Sequence, residues 1–449
     1  MDQAGRRAAA VAVLLGAAAA GQPEQAWAAG YALREQSATA LGNAFAGSTA
    51  GAEDASYMFF NPAALGRIDR PGAVLSLSYV APRSEVEDAD ASTVLGTPIG
   101  GRDSVDDIAE DALLPAFYLA MPVGDRVRLG VGFTAPFGLA TEYPEGWVGR
   151  YHAVDSELRT YNINPALAVR VTDWLSLGAG FQAQYADGEL TNAVDFGTIG
   201  TAAGVPGSVP GARDGFARLQ GDDWGYGYNL GLLAEPVRGT RLGVAYRSEV
   251  EHQIEGDVDF TADTAGIAAT LRAVSGAFVD SDAHLNLETP ATLSFGVHQD
   301  LGDKFAVMAE ATWTDWSTFE EIRVEYENDL QPDTVTTQDW EDSWFFALGA
   351  TWRPVETVTL RTGVAYDQSP VRERTRTPRI PDEDRYWLAL GASWQPLPWL
   401  GLDAGYTHIF VDDSDVDLDA GGENQFRGSL SAQYENGIDI VTVGARLRF

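Results

Sequence analysis

Alternation of apolar residues with polar or small ones is the feature that most limits how this chain can fold. It runs from about residue 72 to the C-terminus; residues 175–185, "LSLGAGFQAQY", place Leu, Ala, Phe and Tyr on one face and Ser, Gly and Gln on the other. A period of two residues is typical of half-buried β-strands. No later segment approaches the roughly 18 apolar residues of a transmembrane helix. Any membrane-spanning structure in this chain must therefore be a β-barrel.

The joints between these segments alternate strictly between short and long. Long joints are acidic and rich in Gly, Pro and Asp, which is typical of surface loops. Six short and seven long joints predict an all-β fold, a transmembrane antiparallel barrel of about fourteen strands over residues 71–449, with both ends on the short-turn, periplasmic side. A soluble β-sandwich also gives alternating strands, but it does not need this loop asymmetry. The short joints are 122–125, 172–174, 236–239, 301–304, 354–356 and 396–398, and the long ones are 83–112, 136–156, 191–221, 261–284, 328–341, 369–383 and 412–431.

Both ends of the chain point to export to a bacterial envelope. Arg6 and Arg7 precede an apolar run at residues 8–20, and small residues stand at Ala26 and Ala28, so we predict a signal peptide over residues 1–28. The last segment, "VTVGARLRF", alternates and ends on Phe, like the terminal strand that outer-membrane barrels offer to the barrel assembly machinery. We therefore predict a multi-pass protein of the bacterial outer membrane.

Composition excludes several functions. The net charge is -35, from 65 acidic and 30 basic residues, which argues against a nucleic-acid partner. There is no Cys, hence no thiolate metal site. We expect no enzymatic activity, cofactor or metal, since the histidines lie in different segments and no metalloprotease, nucleophile-elbow or phosphate-loop motif is present. The histidines are His152, His252, His284, His298 and His408.

Tryptophans collect near the predicted strand ends. Trp suits the membrane–water interface because the ring is apolar while its N–H reaches water. We predict that these residues form interfacial girdles on the barrel, although some of them could simply pack against neighbours. They are Trp174, Trp224, Trp344, Trp352, Trp387, Trp394 and Trp399.

Residues 29–70 have no place in the predicted wall. They mix small and apolar residues with few charges, which is too apolar for a free tail, so we predict that they fill the barrel lumen as a hatch. Within them, Phe59 and Phe60 run into Asn61-Pro62-Ala63. Proline fixes φ and lacks an N–H donor, and Asn hydrogen-bonds nearby backbone. This stretch therefore predicts a rigid, self-capped turn, although Asn-Pro could also merely end a short element.

Short motifs throughout the mature chain resemble the long-chain fatty acid outer-membrane transporters, a family that includes importers of toluene and related aromatics. Their order and spacing carry the resemblance, since each motif alone is weak. They include "GYALREQ" at 30–36, "LGNAFAG" at 41–47, "NPA" at 61–63, "NINPALA" at 162–168, "WLSLGAG" at 174–180, "WTDWS" at 313–317 and "RIPDEDR" at 379–385.

The resemblance implies a fourteen-stranded barrel plugged by an N-terminal hatch, and passive uptake of hydrophobic molecules. A ligand would be captured among the extracellular loops, move to a pocket in the barrel, and leave sideways through a gap where the third strand is kinked, beside the hatch turn at 61–63. Glycine in a strand marks a bend, and proline removes a ladder hydrogen bond, although inward glycines can also serve a tapered lumen. The candidate residues for this opening are Gly130, Gly132, Phe133, Pro136 and Gly138.

Arginines that face the lumen are candidates for binding a ligand carboxylate. By alternation Arg247 and Arg385 point inward, as do Arg128 and Arg361, and each could instead pair with an acidic residue of the lumen. The run at 186–189 is acidic at a place where a basic ligand contact would be expected. The ligand could therefore be neutral instead, an aromatic hydrocarbon or an alkane. A protein of a different functional class, a general porin or a structural barrel, is the alternative. Besides its ligand, we expect outer-membrane lipid and lipopolysaccharide as partners of a monomer.

Overall fold

A computed structural model describes residues 30–449, so the predicted signal peptide lies outside the described residues. Within them the wall is a closed antiparallel barrel of fourteen strands, as the alternation of joints predicts. Six wall strands are interrupted, so the wall consists of twenty segments. They are β1 (Gly72–Ser92), β2 (Ala112–Val123), β3 (Val127–Thr134), β4 (Gly138–Glu142), β5 (Asp155–Arg170), β6 (Leu175–Asp195), β7 (Asp214–Val237), β8 (Thr240–Arg247), β9 (Val250–Thr261), β10 (Ser281–Thr289), β11 (Thr292–Leu301), β12 (Phe305–Thr314), β13 (Glu321–Tyr326), β14 (Thr334–Thr337), β15 (Ser343–Val355), β16 (Val358–Asp367), β17 (Arg385–Leu397), β18 (Leu400–Val411), β19 (Ser414–Leu418) and β20 (Ser429–Arg448).

The last strand closes the barrel on the first. β20 pairs antiparallel with β1 from Gly72↔Arg448 at the short-turn end to Ser92↔Ser429 near the long loops. At the short-turn end the N–H of Phe449 also donates to the carbonyl of Pro71, at 2.8 Å. This pairing removes the free sheet edges, which is how a barrel satisfies its backbone within a membrane.

Several strands run further than the sequence indicates. β6 reaches Asp195 and β7 begins at Asp214, which shortens a predicted long loop at 191–221, and β1 reaches Ser92 although a loop was expected from residue 83. Beyond the membrane both faces of a strand meet water or loops, so the apolar alternation that marks a strand fades there. No helix in residues 30–449 is long and apolar enough to cross a bilayer.

Apolar side chains cover the outside of the wall, with Leu230, Tyr228 and Val443 about half exposed. Six of the seven tryptophans predicted at the interface are exposed as expected. Trp387 is the exception and that prediction is wrong: its side chain is 2 % exposed and points inward, 6.0 Å from the ring of Phe45. It lies next to Tyr386 and Leu388, which face outward, so it belongs to the inner face of the pleat.

The hatch, residues 30–70, fills the lumen. It carries one short helix, α1 (Ala38–Leu41), and two 3₁₀ turns, Ala55–Met58 and Pro62–Arg67. Inward-facing glycines let its backbone approach the wall; a Cβ at Gly363 would lie 2.0 Å from the carbonyl oxygen of Asn43. The long loops carry α2 (Phe196–Ala202), α3 (Ile267–Ser275) and the 3₁₀ turns Glu373–Thr375 and Gly422–Asn424, while the 3₁₀ turn Trp316–Thr318 lies between β12 and β13.

Candidate functional site

The wall is interrupted at residues 135–137, between β3 and β4. Pairing of β2 with β3 ends at Phe117↔Phe133, and within the described chain residues 112–116 of β2 pair only with β1. At the other end of the interruption, a single β-bridge joins β4 to the loop that precedes β2. We call residues 135–137 the wall break; it leaves an opening in the sheet between the second and third strands of the wall.

The first residues of the hatch lie across this break as an added strand. The N–H of Leu33 donates to the carbonyl of Pro136 at 2.8 Å, and the N–H of Gly138 donates to the carbonyl of Tyr31 at 2.9 Å. The carbonyl of Pro136 and the N–H of Gly138 are therefore satisfied by the hatch, whereas the N–H and the carbonyl of Phe137 bond to Thr160 of the wall strand β5. We call residues 31–36 the seal segment.

Two polar side chains of the seal segment differ in how well they are satisfied. The amide of Gln36 donates to the carbonyl of Ala135 at 2.7 Å and accepts from its N–H at 3.2 Å. Glu35 is 1 % exposed, and neither of its carboxylate oxygens has a hydrogen-bond partner among the described residues. A buried carboxylate without a partner is costly. The seal segment is thus held by backbone bonds, by the amide of Gln36, and by the hydroxyls of Ser78 and Tyr118, which donate to the carbonyls of Glu35 and Gln36 at 2.9 Å, with a destabilising group beside them.

The sequence-predicted opening residues fall into two groups. Pro136 and Gly138 lie at the break itself. Gly130 and Gly132 lie lower on β3 and face the interior, where a Cβ at Gly130 would come within 2.8 Å of the side chain of Leu65. Phe133 faces outward, with its ring stacked 6.0 Å from that of Tyr161 across the lipid-facing surface.

The hatch turn has the self-capped geometry that the sequence predicts. Asn61 Oδ1 accepts from the N–H of Ala63 at 2.9 Å, while Nδ2 donates to the carbonyls of Thr49 at 2.7 Å and Leu232 at 3.0 Å. Gly231 allows this approach, because a Cβ there would lie 2.0 Å from Asn61 Oδ1. Asn61 and Ala63 therefore lie against β6 and β7, and it is the seal segment that contacts the break.

A cavity of about 80 Å³ reaches from the hatch turn to the wall break, and we call it the lumen cavity. Its lining includes Phe59, Phe60 and Pro62 from the hatch and Pro136 from the break. Two arginines, but no Asp or Glu, are among its lining residues. The remaining polar lining consists of Asn229, Thr292, Ser294, Thr312 and Thr314.

The two arginines of the lumen cavity are held differently. Arg247 donates to the carbonyl of Phe59 at 2.7 Å and lies 4.6 Å from the centre of its ring. Arg34, in the seal segment, lies 4.1 Å from the ring centre of Phe345, and its guanidinium has no hydrogen bond or ion pair within residues 30–449. The position of Arg34 in this cavity could not be predicted from the sequence, because the hatch has no periodicity from which the direction of a side chain could be read.

The other predicted carboxylate contact lies elsewhere. Arg385 is 1 % exposed, forms an ion pair with the equally buried Asp382, and does not line the lumen cavity. Arg361 likewise pairs with Glu53 of the hatch. Pairing with internal acids, the alternative left open by the sequence, is therefore the structural role of both.

Above the lumen cavity lies an apolar cavity of about 70 Å³, lined mainly by the upper wall strands. Tyr31 lines it, and the next residue, Ala32, lines the lumen cavity. Its ring lies 4.7 Å from Trp316, 5.6 Å from Phe319 and 5.8 Å from Trp340, and its hydroxyl donates to the carbonyl of Glu288. The partition between the two cavities is therefore carried by the seal segment.

A third and larger cavity, of about 490 Å³, opens among the long loops, and we call it the outer cavity. It shares Leu190, Leu219 and Ile322 with the apolar cavity, so the two are adjacent. Its remaining apolar lining includes Val258, Phe260, Phe278 and Val324. Two arginines, Arg379 and Arg427, line this cavity, and Arg379 donates to the carbonyl of Thr191, next to Leu190.

Positive charge in the outer cavity resides on these arginines, and Asp195, Asp333 and Glu423 line the cavity as well. Burial, with the positive charge of Arg427 as the second cause, lowers the pKa of His152 to about 3, so this histidine is neutral at physiological pH. The same two causes lower the pKa of Arg379 to about 9, which still leaves it mainly protonated near neutral pH.

Comparison with known proteins identifies relatives along the whole chain. Residues 18–449 match the model of the family described as outer membrane protein transport protein (OMPP1/FadL/TodX). A long-chain fatty acid transport protein of Escherichia coli O6:H1 is 30% identical over 410 residues, covering 88% of this chain and 87% of that protein. Outer membrane protein P1 of Haemophilus influenzae is 31% identical, over 85% of this chain and 86% of its own length.

Solved structures agree on the fold. A FadL homologue from Pseudomonas aeruginosa superposes with a TM-score of 0.85 at 26% identity, over 94% of this chain and all of that one (100%). The toluene transporter TodX of Pseudomonas putida gives a TM-score of 0.69 at 18% identity, over 94% of this chain and 100% of its own. The second likeness supports the barrel and hatch architecture alone.

Proposed function

The chain belongs to the OMPP1/FadL/TodX family of outer-membrane transport proteins, and we propose that it carries long-chain fatty acids and similar amphiphilic anions inward. Members of this family are outer-membrane barrels that transport hydrophobic molecules and are not enzymes. The proposal for this chain concerns the class of its ligand and the residues that bind it.

The lumen cavity carries the proposal of an anionic ligand. In a chain with 65 acidic and 30 basic residues, its lining holds two guanidinium groups and no carboxylate. A guanidinium binds a carboxylate through strong, charge-assisted hydrogen bonds, and Arg34 has all its donors available for one. Phe59, Phe60 and Pro62 supply the apolar surface that the first carbons of an acyl chain would contact. A neutral hydrocarbon would leave the donors of Arg34 unused, whereas Arg247 already donates to the carbonyl of Phe59 and to the side chain of Gln182.

The three cavities give the ligand a route. It would enter the outer cavity, pass into the apolar cavity, and reach the lumen cavity beside the wall break once Tyr31 moves. One water needs roughly 10–15 Å³ of cavity volume, and at the upper figure the lumen cavity holds about five waters. It therefore accommodates a carboxylate and a short part of a chain, and the rest requires the seal segment to withdraw.

We propose that the seal segment is the gate and that the hatch turn fixes the rest of the plug. Withdrawal of residues 31–36 would free the wall break at Pro136 and Gly138, so that the ligand could leave sideways into the membrane. Arg34 lies on the segment that must move, so binding of a carboxylate and opening of the break act on the same six residues. Gly130 and Gly132 then serve close packing of the hatch, below the opening.

The remaining partners follow from the surface. Half-exposed Leu, Tyr and Trp side chains on the outside of the wall would contact lipid and, at the outer rim, lipopolysaccharide. The final strand would be the segment read by the barrel assembly machinery. We propose a monomer, because closure of β20 on β1 leaves no sheet edge for another copy.

Uptake of labelled oleate by Gram-negative cells that lack their own fatty acid transporter tests the ligand class. We expect the unmodified chain to restore uptake and Arg34→Gln to lower its initial rate about tenfold, the value of roughly 1.5 kcal/mol for one hydrogen bond to a charged group. Arg353→Gln is the matched control, since Arg353 lies 3.8 Å from Asp300 at the short-turn end of the wall and neither residue lines one of the three cavities. Restoration of toluene uptake without oleate uptake, at equal surface levels, would contradict the proposal.

A further inference from the structure

Between the seal segment and the wall, we propose that Glu35 and Asp367 form a buried proton-binding site, and that opening of the seal releases this proton to water. The inference rests on the proposed function, because it takes the seal segment to be the gate. It adds a site, the ligand of that site, and a dependence of the gate on pH.

Two carboxyl groups lie here without the hydrogen bonds that buried carboxylates normally accept. Glu35 belongs to the seal segment, and Asp367 is the last residue of the wall strand β16; the two residues are 1 % and 2 % exposed. Neither carboxyl oxygen of Glu35 has a partner within residues 30–449, and nor has Oδ2 of Asp367. The negative charge of Asp367 acts on Glu35. If both groups were ionised, they would repel each other in a place where water cannot screen them.

The neighbouring arginines cannot neutralise every carboxyl around them. Arg385, opposite Asp367 on β17, forms an ion pair with the buried Asp382. Arg34 lies 4.1 Å from the ring centre of Phe345, which is opposite Asp367 on β15. The charge of Arg34 acts on both carboxyls of the site. Three buried carboxyls therefore share two guanidiniums, and one proton makes the cluster neutral.

Two further groups beside the pair add negative charge or none. Asp384, in the loop before β17, acts on Asp367 with its negative charge, and its carboxylate accepts from the N–H of Ser369 at 2.9 Å. Ser78 of β1 donates to the backbone carbonyl of Glu35 and leaves its carboxyl free. These surroundings favour one proton held by the pair over two ionised groups.

The pH range of the switch follows from the ionisation of Glu35. Burial is the main cause that raises the pKa of Glu35, from its ordinary value of 4.5 to about 7. When the seal opens, water reaches the side chain and its pKa returns toward the ordinary value. Between about pH 4.5 and 7, the closed seal therefore holds a proton that the open seal does not. Rising pH across this window favours opening, and above or below it the closed and open states bind protons equally.

Arg34 connects the proton site to the ligand. It lines the lumen cavity, where its donors are available for a carboxylate, and its charge also acts on Glu35 and Asp367. A carboxylate bound by Arg34 would occupy a counter-charge of the ionised pair, and withdrawal of the seal would relieve the resulting repulsion. Ligand binding and loss of the proton therefore favour the same open state.

Proton release on ligand binding tests the site directly. Oleate is titrated into the purified full chain in lipid nanodiscs at pH 6, by calorimetry in two buffers with different enthalpies of ionisation; the difference in heat gives the protons released per bound oleate. We expect the unmodified chain to release about 0.9 proton more than Glu35→Gln, the difference in occupancy for a pKa that falls from about 7 to 4.5. At about pH 9 the two proteins should not differ, because Glu35 is then ionised in both states. Glu356→Gln, in an exposed short turn, is the control and should behave like the unmodified chain.

Transport at different pH values separates a proton switch from a role in packing. Oleate uptake by cells with the unmodified chain is divided by uptake with Glu35→Gln, so that the ionisation of oleate itself cancels. We expect this ratio to rise about tenfold or more between about pH 5 and 8, whereas a packing role gives a constant ratio. Asp367→Asn should lower proton release at pH 6, because it removes a charge that acts on Glu35. A constant uptake ratio, or equal proton release by the unmodified chain and Glu35→Gln, would overturn the proposal.

Failure of this inference is distinguishable from failure of the proposed function. If cells import oleate and the unmodified chain releases no more protons than Glu35→Gln, the proton site is refuted while the transport proposal stands. If oleate neither binds nor is imported, both are refuted.

Discussion

Two parts of the same plug are attached to the wall in contrasting ways. The turn at Asn61 is fully buried, and its side-chain amide is satisfied by the hatch and by the wall strand β7. Nearby, Glu53 pairs with Arg361 of the wall. The seal segment instead closes a break through backbone bonds, the amide of Gln36 and single bonds from Ser78 and Tyr118, borders cavities, and buries the carboxyl of Glu35 without a hydrogen-bond partner. We propose that the plug has a fixed part and a part that is released at lower cost.

The difference between the two parts of the plug would disappear if transport did not require the seal segment to move. Ala32 and Phe137 form a non-hydrogen-bonded antiparallel pair, a geometry with Cα atoms about 4.5 Å apart that a disulfide spans. We expect Ala32→Cys with Phe137→Cys to reduce oleate uptake to background when oxidised and to recover on reduction. The single-Cys variants serve as controls, and full uptake by the oxidised pair would refute the gate.

A substitution in the fixed part should act on stability and leakage. Asn61→Ala removes three hydrogen bonds and leaves the buried backbone groups of Thr49 and Ala63 without their partner, so we expect a loss of about 3 kcal/mol in the free energy of unfolding. Denaturant unfolding of the refolded protein measures this, and planar-bilayer conductance should rise. Asn192→Ala, in a long strand outside the hatch, is the control, and an equal effect there would remove the contrast.

The smallest effect is expected at Glu35. Burial raises the pKa of Glu35 to about 7, so its carboxyl is charged only in part near neutral pH. Glu35→Gln keeps the shape of the side chain but removes this partial charge, which has no hydrogen-bond partner, and should stabilise the closed seal by about 1 kcal/mol. Amide hydrogen exchange of residues 31–36 should slow about fivefold, and exchange of residues 43–49 should stay unchanged. Faster exchange in the variant would show that the carboxylate supports the seal.

The wall could be predicted from the sequence and much of the gate could not. Alternating short and long joints fixed the number of strands, and Pro136 with Gly138 marked the break in the third one. Trp387 was misassigned because proximity to a strand end does not tell which face a residue occupies. Arg385 was a candidate for a ligand carboxylate or for an internal acid, because alternation gives a direction but not a partner, and Asp382 is only three residues away.

Arg34 and the aromatic partition around Tyr31 could not be predicted from the sequence, for a related reason. The hatch folds without periodicity, and Trp316 and Trp340 come from loops far along the chain. Their meeting depends on closure of the whole barrel around the hatch, which no local pattern encodes. Asn61 was predictable as a turn because its capping bond to Ala63 is local, whereas its bond to Leu232 was not.

Hydrogen exchange with and without oleate tests the division of the plug most directly. The full chain in nanodiscs would be labelled with deuterium at increasing oleate, and exchange would be compared between residues 31–36 and residues 43–66. We predict faster exchange in the seal segment when oleate binds, with the rest of the hatch unchanged. Unchanged exchange in both segments, or equal acceleration in both, would contradict a releasable seal on a fixed plug.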